Sequence, residues 1–427
     1  MCKRIIGVLL LGIGFASGAL FAAGGRQGGA GPGSTVLNVA LSYQPAEQVH
    51  QYMLTVGKDY EAANPGVKVE MGFYPDYEVT MKTKMAARDL PDLWATHGWS
   101  VARYSEYLEP LNSQSWASKV NPKILPVITN KSGQFFVLPF NVESQGIVVN
   151  QDVLESVGVD IRSIKTWDDF RNACAKVKAA GKIPLDIAGN ASEDWTVGTI
   201  YNTLGQSFLV TNERQNSRNA LLDGSFNWGR DWGVIQDFLL ELRDKGYLNP
   251  DYTQGTEENQ FRRLGNGEVA FVMSANNAIT RAKLVNPNAR IGFIAVPSNS
   301  PGDPPTLTSG ERMTLGAYKD GRAKAEALKF LEYCSQPAII NRVATLDKCE
   351  TGLIGPEYTA DLSDLKPYFD NLQNIRGFPY FDRAYLPSGM WDALCKTASG
   401  LLANTMTKDQ AISRLRNDYN DLRAQQQ

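Results

Sequence analysis

The sequence predicts an α/β fold of parallel strands with helices packed on both faces, divided into two domains. Two observations carry this expectation. Strand-like and helix-like apolar patterns alternate through residues 36–111, and 427 residues exceed what one ordinary core holds. The run "VLNVALSY" is β-branched and apolar, a strand ending at Tyr43. Val49, Tyr52, Met53, Val56, Tyr60 and Ala63 recur at spacings of three and four, which is one apolar face of a helix. Pro65 and Gly66 end it, because proline disfavours helical geometry at Asn64 and glycine permits the turn. "VKVEMGFY" alternates as a second strand, and Tyr77, Met81 and Met85 give the next helical face. "LPDLW" opens a third strand that runs into the loop "THGWS". In such sheets ligands bind in loops beyond the carboxyl ends of the strands. Those loops hold Tyr43, Gln44, Tyr74, His97 and Trp99.

Beyond Leu111, "GQFFVLPFNVESQGIVVNQ" reads as a strand, a crossing loop at 139–143 and another strand, the first expected passage between domains. "KTWDDFRNACAKVKAAGKIPLDIAG" follows as a helix and a strand. Thr166 and Asp169 form its capping box, Trp167, Phe170, Cys174 and Val177 its buried stripe, and Gly181 its stop. Trp232, Ile235, Leu239 and Leu242 mark a further helix. "EENQFRRLGNGEVAFVMSANNAIT" reads as helix, turn and strand, then a loop with Ser274, Asn276 and Asn277. "ARIGFIAVP" is a strand ending at Pro297, where "NSPGDPP" suggests a second crossing. "AKAEALKFLEYCSQPAIINRVA" carries two helices split at Pro337, and "ETGLIGPEY" a third crossing at Gly352. The remainder is mainly helical, with Ile412, Leu415, Tyr419 and Leu422 on one stripe.

Hydrophobic content of 43% and charged content of 21% are those of a globular protein. Lys3 and Arg4 precede an apolar run from Ile5 to Ala23, with small residues between Ala22 and Gly25, which is the pattern of a cleaved secretory leader. The alternative is an uncleaved anchor, since the run approaches the length of a membrane span. Cys2 lies ahead of the apolar run and so cannot be the lipid-bearing first residue of a mature lipoprotein. The expected product is therefore soluble and periplasmic. Without Lys3 and Arg4 it has 41 basic and 45 acidic residues, a formal charge of −4. That balance favours neither nucleic acid nor an anionic membrane surface. "GGRQGGAGPGS" reads as a flexible tether. Of the remaining cysteines, Cys174 and Cys334 lie on apolar helical faces, while Cys349 and Cys395 leave a disulfide open.

The chain has two histidines, His50 and His97, and none of the HExxH, CxxC, GxSxG or GxxxxGK[ST] patterns. No metal site or cofactor is expected. Two carboxylates at the right separation suffice for glycoside hydrolysis, and Glu143, Glu193, Asp194 and Glu311 lie in expected loops, so an exported glycan-active enzyme stays open. The commoner use of loop acids is solvation or a hydrogen bond from a ligand. Aromatics beside amides or acids are more distinctive: Tyr43 with Gln44, Trp99 with His97, Asn141 with Glu143, Trp195 after Glu193 and Asp194, and Trp391 after "LPSG". A sugar ring has an apolar C–H face and a rim of hydroxyls, and it suits such sets.

In order and spacing, "YEAANPGVKVEMGFY", "LPDLWATHG", "YLEPLN", "GQFFVLPFNVESQGIVVNQDVLESVGVD", "TWDDFRNACAKVKAAGKIPL", "NGEVAFVMSAN", "AEALKFLEYCSQP" and "ETGLIGP" resemble the extracellular solute-binding proteins of sugar ABC importers, the family that includes maltose-binding protein. The resemblance implies a hinged, two-lobe periplasmic binding protein fold of type II. It assigns 1–24 to the leader and 25–35 to the tether. Residues 36–140 and 298–350 fall in the first lobe, and 141–297 and 351–427, mainly helical at the end, in the second. It implies a monomer with a mono- or oligosaccharide in the cleft, permease and ATPase partners in the membrane, and no catalysis. Residue by residue it places Asn141 and Asn276 on sugar hydroxyls from opposite lobes. "ANNA" lacks the tryptophan the family often shows there, leaving stacking to Trp99, Trp195 or Trp391, with Trp391 foremost. Glu143 and Glu311 complete the expected site. A non-sugar solute is the other open reading; a phosphate would call for cleft cations, and the loops offer only Arg312 and Arg383.

Overall fold

A computed structural model of the chain describes residues 34–426 apart from 75–76, 212–215, 301, 304, 364–374 and 376. The expected leader and nearly all of the tether lie outside the described residues.

The alternation read from the sequence builds the first lobe. Strands β1 (Thr35–Leu41), β2 (Val67–Phe73) and β3 (Leu93–Ala95) run parallel, joined by the helices Gln48–Ala63 and Tyr77–Ala87. Val49, Met53, Val56 and Tyr60 bury the first helix, and Tyr77, Met81 and Met85 the second, as the three-four spacing requires. Strand β4 (Leu138–Pro139) leads directly into β5 (Asn141–Asn150), whose ten residues form the spine of the second sheet. The capping box at Thr166 is present, with both reciprocal bonds, at the start of the helix Trp167–Ala179. The second sheet adds β6 (Ile183–Leu185), β7 (Val269–Ala275), β8 (Ile291–Ile294) and β9 (Leu307–Glu311). After β9 the chain returns to the first sheet as β10 (Thr314–Ala317), then reaches the second again through β11 (Glu350–Thr351) and β12 (Gly377–Pro379). The first sheet has the order β2-β1-β3-β10-β4, and the second β12-β9-β5-β7-β6 with β8 and β11 also paired to β5.

Two expectations change here. An all-parallel sheet holds for β1, β2 and β3, but β10 is antiparallel to β3 and β4, and β5 is antiparallel to β7, β8, β9 and β11. The strands that arrive through a crossing are β5 and β10, and each enters its sheet from the end opposite to its neighbours, β5 against β7, β8 and β9, and β10 against β3 and β4. The later crossings are not at Pro297 and Gly352. Val142–Gln145 of β5 pair with Thr308–Glu311, whereas Thr314 and Leu315 pair with Pro139 and Leu138. The chain therefore changes sheets at Arg312 and Met313, and 298–311 do not join the first lobe. After β11 touches β5 the chain stays on the first lobe: Leu353 and Tyr358 lie in its core, and the Tyr358 hydroxyl donates to the Ser335 carbonyl.

Each lobe has its own core. In the first, Trp94, Tyr104, Phe140 and Phe330 are among the fully buried side chains. In the second, the aromatic stack Trp167, Phe170, Phe238 and Phe271 joins the C-terminal helices through Trp228, Trp232 and Tyr419. All four described cysteines are free and buried, so Cys349 and Cys395 do not pair. No helix among the described residues is long and apolar enough to cross a membrane.

The two crossings and the segment Asp347–Gly352 are bound to one another. The Phe140 amide donates to the Met313 carbonyl (2.9 Å), and the Gly352 amide donates to the Phe140 carbonyl (2.9 Å). Asn141 sits where they meet, fully buried. Its Oδ1 accepts from the Met313 amide (2.8 Å), and its Nδ2 donates to Asp347 Oδ2 (2.8 Å). Replacing it strands a buried amide and leaves Asp347 with one donor fewer. Asn141→Ala should lower the melting temperature, at a cost of about 1–3 kcal/mol for unpaired buried groups. An unchanged melting curve would show that water replaces the amide without loss.

Candidate functional site

The loop after β3 carries His97, Gly98 and Trp99 to the edge of the first lobe. His97 and Gly98 both have positive φ, 38° and 76°. At Gly98 the left-handed backbone has a second reason to exclude a side chain: a Cβ there would lie 2.9 Å from the Arg383 guanidinium. Trp99, half-buried, has two guanidiniums over its ring. Arg103 lies 4.3 Å and Arg383 4.4 Å from the ring centre. Arg103 comes from the same lobe and ion-pairs with Glu78. Arg383 comes from the helix Phe381–Tyr385 of the second lobe and also covers the Tyr380 ring at 4.2 Å.

Tyr380 reaches this point because β9 carries Gly310. A Cβ at Gly310 would stand 1.7 Å from Tyr380 Cε2. Over the bare backbone the Tyr380 hydroxyl donates to Glu143, a buried residue of β5. Glu143 also lies 4.0 Å from Arg312 Nε, and Arg312 stands 3.8 Å from Glu47 and over the Tyr43 ring at 4.6 Å. Glu311, the last residue of β9, is fully buried, and neither carboxylate oxygen has a hydrogen-bond partner among the described residues.

The electrostatics follow from this crowding. Burial pushes the Glu311 carboxyl up to about 7, against the pull of Arg383 and with a push from Glu143. Burial also raises Glu143, opposed by Arg312 and by the Tyr380 hydrogen bond. His97 is driven down to about 3, first by burial and then by Arg312 and Arg383, so it is neutral at any working pH. Its Nδ1 then donates to the Arg312 carbonyl at 3.3 Å. Burial and Arg312 act in opposite senses on Asp347, which ends at about 6.

The structure sorts the expected residues into three groups. His97, Trp99, Glu143 and Glu311 converge around Arg312 and Arg383. Tyr43, Asn141 and Asn276 are committed to the crossings. The Tyr43 hydroxyl donates to Asp347; Asn276 accepts from the Ser144 amide (2.9 Å) and donates to the Lys348 carbonyl. The amides expected on hydroxyls from opposite lobes are thus already hydrogen-bonded within the protein. The rest lie apart. Gln44 is exposed beside Glu47, and Tyr74 is half-buried with Lys84 over its ring at 5.5 Å. Trp195 is 40% exposed at the start of the helix Trp195–Gly205. Trp391 packs on that helix at Gly198 as part of the second lobe's core margin, which fits anchoring rather than stacking. Tyr380 and Arg103 were missed, and Arg383 was named only as a loop cation that a phosphate would need; "FPYFDRAY" offered just its density of aromatics beside that cation. A groove of about 460 Å³ lies elsewhere, on the outer face of the first lobe between Tyr60, Trp116, Tyr333 and Tyr358, and takes no residue from this cluster.

The profile of the bacterial extracellular solute-binding protein family matches residues 46–339. The chain belongs to that family. It is 31% identical over 353 residues to the melibiose/raffinose/stachyose-binding protein of Bacillus subtilis, covering 82% of this chain and 81% of that one. It is 24% identical to the multiple sugar-binding protein of Streptococcus mutans, covering 68% and 69%. A solved structure of a sugar transporter from Bacillus licheniformis in complex with stachyose superposes with a TM-score of 0.79 at 29% identity, covering 91% of this chain and all of the other. The fold is the two-lobe one of solute-binding proteins.

Two tests follow from the geometry. Between the ordinary carboxyl range near 4.3 and about 7, folded Glu311 holds a proton that the unfolded chain has released. Stability is therefore lost as pH rises through that window. Glu311→Gln should melt with the wild type near pH 4 and above it at pH 8, by on the order of 3 kcal/mol at most. An equal gap at both values would mean that Glu311 does not titrate there. Gly310→Ala must push Tyr380 off Glu143. It should destabilise the protein by about 1–3 kcal/mol, the usual cost of overpacking, and alter the near-ultraviolet signal of tyrosine.

Proposed function

We propose that the protein is the carbohydrate receptor of an ABC importer, and that it holds a galactosyl oligosaccharide between its lobes without altering it. The observation that carries this reading is the Trp99 plane, set at the junction of the lobes with Glu143, Glu311 and Tyr380 around it. The plane accepts the C–H face of a sugar ring, and the carboxylates accept hydroxyl protons at its rim. The relatives supply the substrate class, since melibiose, raffinose and stachyose are named for the Bacillus subtilis protein. Closure would bend the chain at Phe140–Asn141 and Arg312–Met313, and the closed form would be read by permease subunits in the membrane. The absence of nucleophile and metal motifs in the sequence agrees with capture rather than catalysis.

A ligand that binds only the native state raises its stability. Melibiose, raffinose or stachyose should therefore raise the melting temperature and be recovered intact. Trp99→Ala should weaken binding by about 1–3 kcal/mol, the range for flat rings stacked on aromatics. Trp391→Ala should lower the melting temperature and leave affinity alone. Shortened sugars after incubation would favour a glycan-active enzyme, and stabilisation by none of a broad sugar panel would remove the carbohydrate reading.

A further inference from the structure

The two guanidiniums on Trp99 are held in different ways. Arg103 is fixed by its ion pair with Glu78 in its own lobe. Arg383 reaches across from the other lobe, and among the described residues it makes no hydrogen bond and no ion pair within 4.0 Å; its buried Nε is unpartnered. Its contacts are the faces of Trp99 and Tyr380 and the bare backbone of Gly98. A group with five donors is thus wedged between two aromatic planes with none of them used. Cation–π contacts of this kind are modest, and their strength depends on exclusion of water.

We propose that Arg383 is a displaceable latch: in the sugar-free protein it occupies the face of Trp99 that a sugar ring takes, tying the two lobes together until the ligand evicts it. This rests on the carbohydrate reading above. The asymmetry of the two arginines selects which one leaves. Arg103 is anchored by Glu78 and remains, so the exchangeable group over Trp99 is Arg383. The same displacement would expose the Glu311 oxygens, which have no partner, to the hydroxyls of the incoming ring. The latch also sets affinity, because every sugar must compete with a tethered group at high effective concentration.

The test uses Arg383→Ala and Arg383→Met, the second keeping most of the side-chain bulk without the charge, with melting curves to show that both fold. In sugar-free protein, small-angle scattering should give a larger radius of gyration for both variants. The fluorine resonance of 5-fluorotryptophan at position 99, assigned through Trp99→Phe, should shift. With raffinose as probe, calorimetry should show Kd falling at least threefold. An unchanged sugar-free radius and resonance would overturn the latch. So would weaker raffinose binding in both variants, which would make Arg383 a direct sugar contact. Failure of the wild type to bind any saccharide would sink the receptor reading instead, and the sugar-free scattering comparison still decides whether Arg383 ties the lobes.

Discussion

Everything about this molecule depends on two chain crossings and the segment Asp347–Gly352 being held side by side, and one buried amide does much of that. Asn141 accepts from the Met313 amide on one side and donates a hydrogen bond to Asp347 on the other, so the first crossing is bonded to the second and to the end of the helix Pro337–Asp347. Asn276 does similar work from the second lobe, bonding Ser144 of the spine strand and the Lys348 carbonyl. Buried polar networks of this sort are costly unless complete, and a complete one fixes a single arrangement. Each lobe has its own apolar core, so their relative position is set chiefly by this polar seam.

The cleft residues are consequences of that seam. Because β9 ends at Glu311 and β10 begins at Thr314, Glu311 and Arg312 are forced onto the floor between the lobes. Burial there holds the Glu311 carboxyl near neutrality and keeps His97 uncharged. Neither condition helps the fold. A carboxyl without hydrogen-bond partners inside a protein costs stability, and such violations concentrate where a ligand supplies what is missing.

Much of this was legible in the sequence, and the failures have physical causes. The helix faces of 48–63 and 77–87, the capping box at Thr166 and the first crossing follow from periodicity, local hydrogen bonding and proline chemistry. The expected third crossing at Gly352 does not hold, because Leu353 and Tyr358 stay in the first lobe's core. The second crossing was invisible because nothing breaks there. "LTSGERMTLGA" stays extended while its partners change from one sheet to the other, so the proline-rich "NSPGDPP" drew attention instead. Asn141 and Asn276 were correctly singled out but for the wrong partner, since an amide looks the same whether it faces backbone or ligand. Trp391 was legible in hindsight: Met390, Leu394, Ala398 and Leu401 form a helical stripe, and Trp391 sits at its edge. Arg383 was named only as a loop cation; its contact with Trp99 was beyond reach, because that depends on a loop nearly three hundred residues away that faces it.

The electrostatic character of the cleft bears on what it selects. Arg312 and Arg383 stand among Glu47, Glu143, Glu311 and Asp347, so carboxyls outnumber cations in the site. An anionic solute such as a phosphate needs unpaired cations presented together. Here Arg312 is already shared between Glu47, Glu143 and the Tyr43 ring, and Arg383 faces aromatic planes. A neutral polyhydroxyl ligand makes the opposite demand: donors and acceptors in alternation, fixed in place, with an apolar plane beneath. An array in which carboxyls outnumber cations offers acceptors to hydroxyls and repels an anion, which is the physical reason a sugar fits this cleft better than an anion does.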